Sequence, residues 1–358
     1  MLGRRAESVC NGSMSVAYRC WAEVDLAALR ENLAWLRHTV GPEVRILTVV
    51  KADAYGHGLK QIAALLMQSG TDIFGVANLT EAEAIRSVGA GWPILCLGAC
   101  LPYEIEQAVR DQVRPTISSA TEAEQFSAAA VRLGQTVRVH VKVDTGMGRL
   151  GVEPDRAGEL FGRIQALPGL ELEGLYTHFA AAEDDVAFSR QQAARFRRVL
   201  DHARAQGLQV PLVHASNSAG LLHQRDAIFN VVRPGLLVYG IAPPGRRRSD
   251  LAVRHHFRPA LSWKCRVSLV KTVPRGASLS YGRAFVAPRR MRVATLTAGY
   301  GDGYPRAGSH RARVLIGGRR CRIVGWITMD QMLADVSALE AIEPGDEVVL
   351  LGRQGAEE

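Results

Sequence analysis

An N-terminal (β/α)8 barrel followed by a mostly β C-terminal domain is the architecture this α/β sequence specifies. Eight short apolar runs recur at intervals of about 20 to 40 residues between positions 44 and 232, with helix-like stretches between them. From residue 256 the texture changes to β-rich runs separated by glycine turns, with no long helical pattern. The length, 358 residues, is too great for one small core and suits two domains. A doubly wound sheet is the alternative for the first part, because it uses the same alternation of strand and helix.

Residues 1–19 read as an N-terminal extension. They carry Arg4, Arg5, Glu7 and Asn11 and lack the apolar stretch of a signal peptide. The barrel domain is assigned to 20–255. In it, Leu26, Leu29, Leu33 and Leu36 repeat at the spacing of one helical face. The strands are read as Val44–Val50, Ile73–Ala77, Ile94–Leu97, Thr116–Ser118, Val137–Val143, Leu172–Thr177, Leu212–His214 and Val231–Val232. Thr80-Glu81-Ala82-Glu83 has the look of a capping box before a helix. Val137–Asp144 alternates strictly, with four valines on one side and Arg138, His140, Lys142 and Asp144 on the other. The β domain, 256–358, has strands at Leu261–Val270, Met291–Leu296, Val314–Ile316, Cys321–Trp326 and Glu347–Leu351, with a turn at Gly317-Gly318.

Composition removes several function classes. The net charge of +9 comes almost wholly from arginine; lysine occurs only at 51, 60, 142, 264 and 271. The arginines sit in short clusters such as Arg246–Arg248, Arg289-Arg290 and Arg319-Arg320, without interleaved aromatics or zinc-finger spacing. They read as solvated surface, so neither a nucleic-acid partner nor a metal is expected. No apolar run of about 18 residues exists, so no membrane span is expected. The six cysteines form no CxxC pair, which suits free thiols in a reducing cytoplasm.

In barrels of this kind, chemistry sits at the C-terminal ends of the strands. Lys51 falls there, directly after the first apolar run. In a chain that covers its surface with arginine, a lysine at this place is less a snorkelling surface charge than a reactive amine. An apolar setting lowers its pKa and makes it a nucleophile towards carbonyls. Arg149, on the turn of "KVDTGMGRLG", suits a substrate carboxylate, since a guanidinium fork matches two oxygens. "YTHFA" places His178 at a strand end, "HASNSAG" supplies His214, Asn217 and Ser218, and "VRPGLLVYG" supplies Arg233 before Gly235. Each alone has a plainer reading as a satisfied histidine, a helix cap or a surface arginine. Hydroxyl- and glycine-rich turns on the last barrel strands are where such folds bind phosphate. A lysine on the first strand and a phosphate cradle on the last two suggest pyridoxal 5'-phosphate.

The chain resembles the alanine racemases, fold-type III enzymes that use this cofactor. "VVKADAYGHG" is similar to the family's cofactor-lysine signature, and the likeness continues through "KVDTGMGRLG", "THFA", "HASNSAG", "VRPGLLVYG", "LSYGRAF", "AGYGDGYPR" and "GWITMDQ". It spans residues 21 to 354. The resemblance implies a two-base interconversion of L- and D-alanine that supplies D-alanine for peptidoglycan. It implies that Lys51 holds the cofactor and acts as one base, and that Tyr281 is the other, brought by the partner in a homodimer with shared sites. By the same resemblance, Tyr55, His178, Asn217, Ser218 and backbone at Gly235 and Leu236 would belong to the cofactor site. Arg233 would lie against the ring nitrogen, and His178 would contact and tune Tyr281. Arg149 would take the substrate carboxylate, with help from the backbone of Met329, and Tyr300 would line a narrow entrance that favours alanine over larger substrates. Lys142 matches a position that is carbamylated in some members.

Family members usually continue beyond "VVLLGRQG" through a segment with a further tyrosine near the phosphate. This sequence ends at Glu358, so the β domain reads as shortened and that tyrosine has no counterpart. Two other classes share parts of the pattern. A fold-type III amino-acid decarboxylase would keep the lysine, but no "CDSxD" motif follows in the second domain. A non-catalytic cofactor-binding protein would need only the barrel, and the β domain carrying Tyr281 argues against it.

Overall fold

A computed structural model describes residues 18–243 and 256–358. The N-terminal extension up to residue 17 and the Arg246–Arg248 cluster lie outside the described residues. The chain divides into two compact units. One spans Leu26–Arg258; the other joins the residues up to Asp25 to Pro259–Glu358.

The first described strand, β1 (Cys20–Val24), does not open the barrel as the 20–255 boundary expects. It pairs antiparallel with a strand of the second unit, Cys20 opposite Cys265 and Val24 opposite Leu261. The physical reason is closure: the eight strands that follow complete a ring by themselves and leave no edge for a ninth.

Those strands are β2 (Arg45–Val49), β3 (Ile73–Val76), β4 (Ile94–Cys96), β5 (Thr116–Ile117), β6 (Val137–Lys142), β7 (Leu170–Tyr176), β8 (Leu212–Asn217) and β9 (Val231–Arg233). They form one parallel sheet in the order β4-β3-β2-β9-β8-β7-β6-β5. The free edges meet through a parallel bridge between Leu95 and Arg114 and through the Thr116 hydroxyl, which donates to the Cys96 carbonyl at 2.7 Å. All eight strands expected from the sequence are present, and the sheet closes as a barrel rather than opening as a doubly wound sheet.

Helices wrap the sheet. Leu26–Val40 buries Leu29, Leu33 and Leu36 along one face. The helix at Thr80 starts one residue earlier, at Leu79, and its cap is Asn78, whose side chain accepts the Glu81 N–H. Inside the barrel, Leu47, Val49, Ile73, Leu95, Leu212 and Val231 form an apolar cluster. The even positions of β6 point the other way from its valines: His140 and Lys142 are buried inside, and only Arg138 reaches solvent.

In the second unit β10 (Leu261–Val273), β11 (Ser278–Leu279), β12 (Phe285–Val286), β13 (Met291–Leu296), β14 (Arg313–Ile316), β15 (Arg319–Val324), β16 (Met332–Asp335) and β17 (Glu347–Leu351) follow in order. β11 and β12 make a small hairpin. The other six close on themselves, because β10 pairs with both β13 and β17. Sequence reading missed β16, a run of only four residues, yet it bridges β13 and β15 and completes the ring.

Candidate active site

The backbone after β2 does something that L-residues rarely do. Ala52, Asp53, Ala54 and Tyr55 are four consecutive non-glycine residues with φ between 53° and 55°. A left-handed turn costs about 1–2 kcal/mol per residue. Here it is fastened from outside: the Glu81 carboxylate accepts the Ala52 N–H at 2.7 Å and the Ala77 N–H at 2.8 Å, and Asp53 Oδ1 accepts the Leu59 N–H at 2.7 Å. Strain held this firmly at a strand end is the mark of a functional constraint. Lys51 sits at the head of the turn and Tyr55 at its foot.

Both side chains line a cavity of about 360 Å³ at the C-terminal mouth of the barrel, together with Lys142, Arg149, His178, Asn217, Ser218, Arg233, Gly235 and Leu236. The structure therefore brings every expected barrel residue to one place. On the β8–β9 side, Ser218 Oγ accepts the N–H groups of Gly235 at 3.0 Å and Leu237 at 3.3 Å. A Cβ on Gly235 would lie 2.6 Å from Tyr55 Oη, so only glycine lets the phenol approach this backbone. Burial raises the Tyr55 phenol, which keeps it a neutral donor. Asn217 caps the helix Ser218–His223, accepting the Gly220 N–H at 2.8 Å.

Arg233 is 2 % exposed. Its guanidinium donates to the carbonyls of Thr177 and Ala215 at 2.8 and 2.9 Å and to His214 Nδ1 at 2.8 Å, and it stacks over the Tyr176 ring. Burial pushes it down to about 10, so it remains charged at neutral pH. His178 Nδ1 lies 3.3 Å from Arg233. Both Nη2 hydrogens already go to the Thr177 and Ala215 carbonyls, and the Asn217 amide nitrogen, also a donor, stands 3.4 Å from His178 Nε2. The ring therefore has a donor on each side and, when neutral, can accept from only one of them. Burial, then Arg233, Lys142, Arg149 and Lys51, hold His178 well below the usual histidine range.

Lys142 is 2 % exposed and pushed down to about 8, by burial and by Arg149 and Arg233. Arg149 is presented by a tight turn in which Asp144 accepts the N–H groups of Gly146, Met147 and Gly148. Burial alone would raise the Asp144 carboxyl; those N–H groups and Lys142 outweigh it and hold it low.

The remaining expected residues lie together in the second unit. Tyr281 opens a short turn and is 76 % exposed. Ser280, just before it, accepts the Trp326 N–H at 2.9 Å. Two residues further on, Thr328 O accepts from Tyr300 N, and Met329 O accepts from Gly301 N. Tyr281, Tyr300 and Met329 are all exposed. Among the described residues no group of His, Cys, Asp and Glu is placed to hold a metal, and no helix is long and apolar enough to cross a membrane.

Two residues central to this geometry carried no signal for a site in the sequence: Glu81, which fastens the Lys51 turn, and Glu173, which accepts from His140 at 3.1 Å. The first reads as part of a helix cap, and the second falls within an expected strand with no role assigned to it.

A barrel whose C-terminal mouth gathers a lysine amine, an anion cradle, a buried arginine and a neutral histidine is the site of an enzyme built for a phosphorylated carbonyl cofactor. The donor set fits pyridoxal phosphate: a hydroxyl, a phenol and backbone at Gly235 for the phosphate, Lys51 for the carbonyl carbon and Arg233 for the ring nitrogen. The chain belongs to the alanine racemase family. Residues 24–243 match the alanine racemase N-terminal domain and residues 260–358 the C-terminal domain. It is 42% identical to the alanine racemase of Symbiobacterium thermophilum, over 94% of this chain and 89% of that one. It is 38% identical to that of Halothermothrix orenii, over 94% and 88%. Among solved structures, alanine racemase from Clostridium difficile 630 superposes with a TM-score of 0.89 at 32% identity, covering 95% of this chain and 89% of that one. Alanine racemase from Bartonella henselae, whose structure has covalently bound pyridoxal phosphate, gives 0.83 at 28% identity, covering 94% and 91%.

Proposed function

We propose that the protein is a pyridoxal-phosphate-dependent alanine racemase that works as a homodimer and supplies D-alanine for peptidoglycan. The observation that carries this reading is the convergence of Lys51, Tyr55, Ser218, Arg149 and Arg233 on one cavity. When bound, the cofactor withdraws electrons from the α-carbon of an amino acid joined to it, which makes the α-proton removable. Racemisation then needs a base on each face, so that either enantiomer can enter. Lys51 Nζ serves one face. The partner's Tyr281 serves the other, and its exposure in its own unit supports a role towards a second chain.

A free phenol has a pKa of about 10, so only about 0.1% is ionised near pH 7. His178, a neutral imidazole at the cavity wall, is assigned to contact the partner's Tyr281 and tune it. Arg149 orients the substrate by its carboxylate, and Lys142 lies near it as a weakly basic amine that suits carbamylation. Met329 and Tyr300, exposed beside each other, are assigned to the substrate entrance, which fits a small side chain. Asn217, which lines the cavity, is assigned to the cofactor site and also caps the helix behind Ser218. The five described cysteines are free, which agrees with a cytoplasmic setting.

The test is an assay for D-alanine formed from L-alanine with added cofactor. The native chain is expected to be active and Lys51→Ala to lose activity entirely. Release of carbon dioxide in place of D-alanine would identify a decarboxylase, and cofactor absorbance without turnover would leave only a binding protein.

A further inference from the structure

Behind Arg233, a line of buried polar groups runs through the barrel interior away from the cavity. Arg233 Nη1 meets His214 Nδ1 at 2.8 Å, His214 Nε2 meets His140 Nδ1 at 2.9 Å, and His140 Nε2 meets Glu173 Oε2 at 3.1 Å. Arg114 then grips Glu173 through Nε and through Nη2 at 3.1 Å. His140 and His214 are 1 % and 0 % exposed.

The chain has one orientation only. Guanidinium has no acceptor, so His214 Nδ1 must carry a lone pair and Nε2 the proton. That Nε2–H donates to His140 Nδ1, so His140 also carries its proton on Nε2. The carboxylate of Glu173 closes the series as pure acceptor. Protonating either imidazole would set two N–H groups against each other. The local structure is shaped for this line. β7 carries a register shift against β6 between the pairs Val139–Leu172 and His140–Gly174, which leaves Glu173 as the extra residue. A Cβ at Gly174 would stand 2.3 Å from His140 Nδ1, so glycine gives the ring its place.

We propose that Glu173 and His140 are positioning residues, which fix the tautomer of His214 and, through it, the aim of Arg233, the arginine assigned to the cofactor ring. The arrangement sets the balancing carboxylate two imidazole rings away from Arg233. Among the described residues no carboxylate pairs with Arg233, so its positive charge stays directed into the cavity. At the far end Arg114 neutralises Glu173. Burial keeps both histidines below their usual range, His214 well below it. Burial would raise Glu173, but His140 and Arg114 hold it at about 2.

The role assigned to Arg233 rests on the functional reading above, whereas the tautomer chain does not. Proton–nitrogen correlation spectra of the cofactor-free native chain should show His214 and His140 each as a single neutral Nε2–H tautomer between about pH 6 and pH 9. In Glu173→Gln the amide nitrogen can donate to His140 Nε2 and so oppose Arg233 from the other end of the line; wherever it does, Arg233 must release His214 Nδ1, so both rings should show mixed tautomers. With cofactor and alanine, kcat of that variant should fall about tenfold or more, since a small misplacement of a group at the reacting centre is costly. KM should stay within about threefold, because Arg149 is untouched. Glu173→Asp should restore single tautomers and part of kcat. An Nδ1–H tautomer at either histidine of the native chain would overturn the proposal. So would a Glu173→Gln chain that loses only thermal stability. If the native chain neither takes up cofactor nor racemises alanine, the functional reading fails, and the spectra still decide whether the line of bonds exists.

Discussion

Glu81 reaches from the first turn of its helix to accept the N–H of Ala52 at 2.7 Å, and in doing so fixes the left-handed turn that begins at Lys51. The other oxygen takes the Ala77 N–H, so one carboxylate binds the ends of β2 and β3 together. Charged hydrogen bonds of this kind contribute about 1.5–3 kcal/mol each. The strain of the turn is thereby offset at a residue that never touches the cavity.

Replacing Glu81 with alanine should release that turn. Lys51 then loses its fixed aim, and kcat should fall about tenfold or more, since small misplacements of reacting groups are costly. Steady-state kinetics with saturating cofactor measure this. An unchanged kcat would show that the turn holds without its clasp.

Gly235→Ala places a methyl group 2.6 Å from Tyr55 Oη. The phenol must retreat from the anion cradle, so cofactor affinity should weaken about tenfold or more, the loss of one charge-assisted hydrogen bond. Thermal stability without cofactor should change little. Absorbance titration and melting curves separate the two effects.

The Glu173 carboxyl gives a pH signature. Its folded pKa of about 2 lies below the ordinary 4.5. A depressed acid contributes stability that is fully present above the unfolded pKa and is lost as pH falls through the folded value. The Tm difference between native chain and Glu173→Gln should therefore be constant above about pH 5 and shrink steadily towards pH 2. Melting curves across that range check the sign.

The barrel was legible in the sequence because each strand announces itself locally, as an apolar run ending in a polar turn. Lys51, Arg149, Ser218 and Arg233 were legible for the same reason: they fall where such runs stop. What stayed hidden depends on partners far away in the chain. β1 looks like any strand before a helix, and only the edge of β10 decides where it pairs. Glu171 and Glu173 alternate identically in "LELEG", yet one is exposed and the other buried. The register shift that separates them is a property of the β6–β7 pair, not of either strand. Asn217 allowed two readings, cofactor ligand and helix cap; it lines the cavity and also caps the helix behind it.

On the proposed function, a complete site needs Lys51 from one chain and Tyr281 from its partner. Two inactive variants, Lys51→Ala and Tyr281→Phe, can be mixed and allowed to exchange subunits, with D-alanine formation followed. Half of the dimers are then mixed, and each carries one site with both bases and one with neither. Activity should return from near zero to about a quarter of the native level, as a symmetric dimer with shared sites requires. A mixture that stays inactive after proven exchange, or a Tyr281→Phe chain that racemises at the native rate, would contradict the account.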